Sequence, residues 1–136
     1  MATRTQQRRA AVWSLYQSDL LGRPLDESFP RDTHQFTRAL ANAVTAHQEE
    51  LDELISRYAS GWSLGRIAPL ERSILRVALL ELFHPGEVPG ERPVPAEVAI
   101  DEAVQTAKEF CGADAPGFVN GILGAALRDR QPASGQ

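Results

Sequence analysis

Three arginines near the start of the chain carry its clearest chemistry. Arg4 and Arg8 fall one helical turn apart, and Arg9 stands one turn before Trp13. Guanidinium groups grip phosphate oxygens bidentately, so this spacing points to a nucleic-acid backbone. Residues 1–18 carry +3 and the remainder −7, for a net charge of −4. That is a basic arm on an acidic body, and it excludes indiscriminate nucleic-acid binding. Three phosphate contacts on a single strand give a salt slope of only about −2. Stacking of bases on exposed aromatics, at about 1–3 kcal/mol per base, or a second protein has to supply the remaining affinity. The competing reading is a solvated N-terminus that happened to collect three arginines.

Catalytic and metal-binding patterns are not found, and the expectation is an adaptor with no cofactor and no metal. His34, His47 and His84 are scattered, without HExxH or paired-ligand spacing. His47 lies on an apolar stripe and reads as a core histidine satisfied by one hydrogen bond, whereas His84 beside a proline reads as solvent-exposed. Asp101 and Glu102 are adjacent, about 100° apart on a helix, and cannot converge as acid and base. Cys111 is the single cysteine, which excludes an intramolecular disulfide and fits a reducing, cytoplasmic setting. No run approaches the roughly 18 apolar residues of a membrane span. The acidic group Glu49, Glu50, Asp52 and Glu53 reads as a solvated face at the start of a helix. Gly117, Gly121 and Ala125 form a small-residue row, read as close backbone packing in preference to a partner groove.

The elements that position these residues are helices nearly throughout. A first helix spans about residues 4–21, with Val12, Leu15, Tyr16 and Leu20 on its buried stripe, and Gly22 and Pro24 end it. Residues 25–31 form a loop, and Asp32 or Thr33 caps the next helix. The apolar run from Phe36 to Tyr58 breaks near residues 46–49. Gly61 ends it, and residues 62–69 form a structured connection. Residues 70–83 are apolar nearly all round and belong at the centre of a bundle. His84 to Pro95 is a proline-rich loop that cannot be helical. Pro95 suits the first position of a helix running to about Phe110 and burying Val98, Ala99, Ala103, Val104 and Ala107. A last helix spans about Pro116 to Leu127, and the tail from Arg130 to Gln136 reads as disordered.

Three stretches in order then resemble the NusB family of bacterial transcription antitermination factors. They are RRAAVWSLYQSDL (Arg8 to Leu20), WSLGRIAPLERSILRVALLEL (Trp62 to Leu82) and VAIDEAVQTAKEFCGADAPGFVNGIL (Val98 to Leu123). The resemblance implies an all-α fold of six to seven helices in two packed three-helix bundles, with sub-bundles over about 1–83 and 84–130 and a tail at 131–136. It implies no catalytic activity, pairing with the small-subunit ribosomal protein NusE, and binding of single-stranded boxA RNA in nascent rRNA transcripts. Other Nus factors and RNA polymerase would be engaged indirectly.

Carried over by motif, Arg8 and Arg9, with Arg4, are the RNA-facing residues, and Lys108 is a further candidate. Phe118 belongs to a surface shared by RNA and partner, with buried core as its alternative. Tyr16, Glu71 and Asp114 match positions that meet NusE, although Tyr16 could equally serve the core and Glu71 the start of its helix. Asp101 stands where the family commonly has Asn, and Gly117 where a basic residue often precedes Phe118. Two further readings stay open. One is a detached RNA-binding domain of the kind fused to rRNA methyltransferases, for which a glycine-rich cofactor-binding region is missing. The other is a structural helical homodimer that hides the arginine surface.

Overall fold

The computed structural model describes residues 2–88, 90 and 93–130, and among these there are six α-helices and no strand. Helix α1 (Arg4–Leu21) opens with a capping box in which Thr3 and Gln6 exchange side-chain and backbone hydrogen bonds. It closes on Gly22 in the left-handed region at φ 65°. After a 3₁₀ turn at Leu25–Ser28 come α2 (Gln35–Ala46) and α3 (Gln48–Tyr58), which hinge at His47. The cap of α2 is His34, which makes no side-chain capping bond. Neither Asp32 nor Thr33 caps it, because the Thr33 hydroxyl donates instead to the Pro30 carbonyl at 2.5 Å.

Helix α4 (Pro69–Phe83) begins on a proline, whose fixed φ suits the first turn. Every residue from Ser73 to Leu82 is buried. A single 3₁₀ turn at Pro85–Glu87 follows, then α5 (Ala96–Phe110) and α6 (Ala115–Arg130). Pro95 precedes α5 as its cap, one position earlier than expected. Two three-helix groups result, and they share α4. Helices α1 and α2 pack on it, as do α5 and α6, while α3 bridges α4 and α6. Leu40, Leu51, Ile55, Leu75, Leu79, Leu80 and Leu123 are fully buried in a continuous core. Each such side chain contributes about 1.5–3 kcal/mol relative to exposure.

The periodicity misplaced two apolar residues. Leu20 and Val98 are both exposed, because α1 runs past the core at its last turn and α5 turns its Ala96, Ala99 and Ala103 face, not Val98, to the core. Helix α6 also runs further than expected. Arg130 is its last residue and donates to the Leu82 carbonyl at the end of α4, at 2.6 Å. The rest of the expected tail, 131–136, lies outside the described residues. No helix among the described residues is long and apolar enough to cross a membrane.

Candidate partner and nucleic-acid interface

The arginine arm does not overhang the body. Arg8 is only 8% exposed. Its Nε donates to Glu81 at 3.0 Å and its Nη1 to Glu102 at 3.3 Å, while the Thr5 hydroxyl donates to Glu102 at 2.6 Å. Helix α1 presents its Ala11–Val12–Leu15 face to α4, and that docking draws Arg8 down onto Glu81. Burial pushes the Glu81 carboxyl above the usual range, the Arg8 cation opposes that, and Glu102 adds to it. The residue expected to face RNA is thus committed to an internal ion pair.

Its neighbours on α1 stay accessible. Arg4 is exposed, with its guanidinium 4.0 Å from the Phe36 ring centroid. Arg9 meets Glu109 at 2.5 Å and lies 5.5 Å from the Phe110 ring. Its Nε is buried without a hydrogen-bond partner among the described residues. Phe110, 41% exposed, meets Trp13 edge-on at 5.3 Å, and Trp13 meets Tyr16 edge-on at 5.6 Å. Tyr16 is therefore half-buried at the rim of an aromatic cluster. Lys108 is exposed on the last turns of α5. Sequence reasoning missed Phe110 altogether and valued Trp13 only as a spacing mark, although the single-helix repeat from Arg9 to Trp13 was legible.

The remaining candidates gather elsewhere. Trp62, Arg66, Glu71, Asp114 and Phe118 line a cleft of about 370 Å³ between the turn before α4 and the start of α6. Phe118 is half-buried and meets Trp62, itself 52% exposed, at 6.2 Å. Burial raises the Glu71 carboxyl above its ordinary range. Among the described residues Glu71 makes no ion pair or side-chain hydrogen bond. A desolvated carboxylate without a partner is costly, and this one lines the cleft. Two arginines stiffen this region from behind. Arg72 donates to the Leu64 and Ile67 carbonyls and to Asp19, and Arg76 forks onto Asp52 at 2.7 and 3.1 Å. The turn from Phe110 to Asp114 joins the cleft to the arginine–aromatic face.

Three expectations are corrected here. Asp52 is not a solvated charge, since it holds the buried Arg76, and Glu50 pairs with His84. Gly117 and Gly121 do not pack against a helix: nothing lies within 4 Å of a Cβ placed on either. With Tyr58, Trp62, Phe118 and Ala125 they line a shallow groove that continues the cleft. Finally, His47 is neither in the core nor singly bonded, and His84 is not free in solvent. The two rings stack at 4.0 Å, and each meets a glutamate.

The chain as a whole is similar to known proteins. Residues 5–128 match the NusB family. The chain is 36% identical to the transcription antitermination protein NusB of Symbiobacterium thermophilum, covering 98% of this chain and 94% of that protein. Among solved structures, T. maritima NusB superposes with a TM-score of 0.81 at 28% identity, over 94% of this chain and 92% of that one. A NusB chain from a complex of the antitermination factors NusB and NusE with double-stranded RNA gives 0.77 at 26% identity, over 93% and 96% of the two chains.

Proposed function

This chain belongs to the NusB family, and from that premise we propose that it is a non-catalytic antitermination factor of the cytoplasm. It pairs with NusE and, with that partner, holds boxA-type single-stranded RNA. The observation that carries the reading is Glu71, a half-buried carboxylate with no partner among the described residues, in a cleft flanked by exposed Trp62 and half-buried Phe118. A partner cation seated there recovers the solvation that Glu71 has lost. Asp114 and Phe118 border the same contact, whereas Tyr16 packs on Trp13 in the aromatic cluster of α1.

RNA lies along the adjoining face. Arg9, Arg4 and Lys108 meet phosphates, while Trp13 and Phe110 offer edges for bases. Arg9 exchanges an exposed carboxylate, Glu109, for phosphate at small cost, because a solvent-facing pair is worth about 0–1 kcal/mol. Arg8 supports the face from below and does not touch RNA. Three cations are too few for strong binding alone, which makes the partner an obligatory part of the surface.

Fluorescence anisotropy of a boxA RNA, with and without NusE, tests this reading. The expected result is weak binding alone and marked strengthening with NusE. Arg9→Ala weakens the ternary complex several-fold and reduces the salt slope by about 0.7. An RNA affinity indifferent to NusE would sink the adaptor mechanism.

A further inference from the structure

We propose that His47, His84 and Glu50 form a site for one divalent transition-metal ion of the zinc class, with Glu87 orienting the His47 imidazole. Four residues from two parts of the chain meet there. His47 sits at the hinge between α2 and α3, and Glu50 in the first turn of α3. His84 caps the C-terminal end of α4, and Glu87 closes the 3₁₀ turn that follows. One ligand atom from each of His47, Glu50 and His84 can be chosen so that all lie within 4.8 Å of one another.

The nitrogens divide naturally into two sets. His84 Nε2 is 3.0 Å from Glu50, and His47 Nδ1 is 3.9 Å from the same carboxylate. The opposite nitrogens face Glu87: His47 Nε2 at 2.5 Å and His84 Nδ1 at 3.6 Å. An ion between His47 Nδ1, His84 Nε2 and a Glu50 oxygen would thus find the His47 ring backed by Glu87, with the far nitrogen of His84 3.6 Å from the same carboxylate. That is the arrangement by which ligating histidines are oriented and made more basic.

Tetrahedral zinc at its usual bond lengths separates its ligand atoms by about 3.3 Å, so a contraction of up to about 1.5 Å completes the site. The side chains can supply it. The two histidines are about a quarter exposed (25% and 24%) and the glutamates about half (48% and 46%). Water from the open side would supply a fourth ligand. The two carboxylates balance the ion's charge with both rings neutral, the form that ligates. The rings stack with 21° between their planes, so they must swing out of that stack to aim both lone pairs at one ion. Imidazole with carboxylate suits zinc, copper or nickel better than calcium or magnesium.

The test uses the whole chain, stripped with chelator and then dialysed free of it. It is titrated with Zn²⁺ by calorimetry and with Co²⁺ by visible absorption. One equivalent should bind, the Co²⁺ bands should be those of a low-coordinate site, and Zn²⁺ should displace them. His84→Gln and His47→Gln should each weaken binding at least tenfold. Glu87→Gln should weaken it about 10- to 100-fold, and His34→Gln should leave it unchanged. Circular dichroism of each variant separates loss of the site from loss of the fold. Absence of saturable one-to-one binding, or binding that survives His84→Gln in a folded chain, would overturn the proposal.

Discussion

The two adjoining faces of this molecule handle charge in opposite ways. On the α1–α5 side Arg8 is paired with Glu81 and Glu102 and Arg9 with Glu109, while Arg4 and Lys108 make no ion pair among the described residues. In the cleft before α4, Glu71 is partly desolvated and has none among the described residues. On the first face Arg9 must exchange its partner in order to bind, so that contact is modest and salt-sensitive. The second carries an unmet electrostatic demand that a protein cation can satisfy. On the proposed reading NusE takes the cleft as the stronger contact and RNA the arginine face as the weaker one.

The largest expected effect comes from breaking the buried pair. Arg8→Ala leaves Glu81 buried without its cation, and should cost about 3–5 kcal/mol of stability in urea denaturation. Glu81 already titrates above its ordinary range. In the window between the unfolded and folded values the native state holds a proton that the unfolded state has lost, so stability rises as pH falls through it. Without Arg8 that window widens, and the variant's deficit should be smaller near pH 5 than near pH 8. A pH-independent deficit would remove Glu81 from the account. Arg9→Ala one residue later should shift stability by no more than about 1 kcal/mol, and a loss equal to that of Arg8→Ala would erase the contrast between them.

A middle-sized effect belongs to the cleft. Glu71→Lys should weaken NusE at least tenfold in calorimetry while the melting temperature stays put, and an unaltered Kd would take Glu71 out of the interface. The smallest effect sharpens the local electrostatics. Burial and then the Glu71 charge push the Cys111 thiol upward. Glu71→Gln should therefore speed Cys111 alkylation at pH 8 modestly, by less than about threefold, and an unchanged rate would mean that burial alone sets the thiol.

Much of the architecture was legible in the sequence because it rests on local rules. Gly22 and Pro24 end α1, the run from Phe36 to Tyr58 breaks at His47, and the apolar band from Leu70 to Phe83 is the central helix. The site was legible only by residue type. Arg8 and Arg9 look alike in one dimension, and only the docking of α1 on α4 sends one inward and leaves the other at the surface. Gly117 and Gly121 gave a spacing but not a direction, and the last helix turns them outward. His47 and His84 meet because α3 and α4 pack side by side. No motif spacing encodes such an encounter between separate helices.

The enclosure of α4 has a consequence for how the molecule breathes. Its amides from Ser73 to Leu82 are covered on all sides by the other helices, so no partial opening of either group alone exposes them. They should exchange with solvent deuterium only when the whole chain unfolds. The slowest protons in the protein would then be a direct gauge of its global stability.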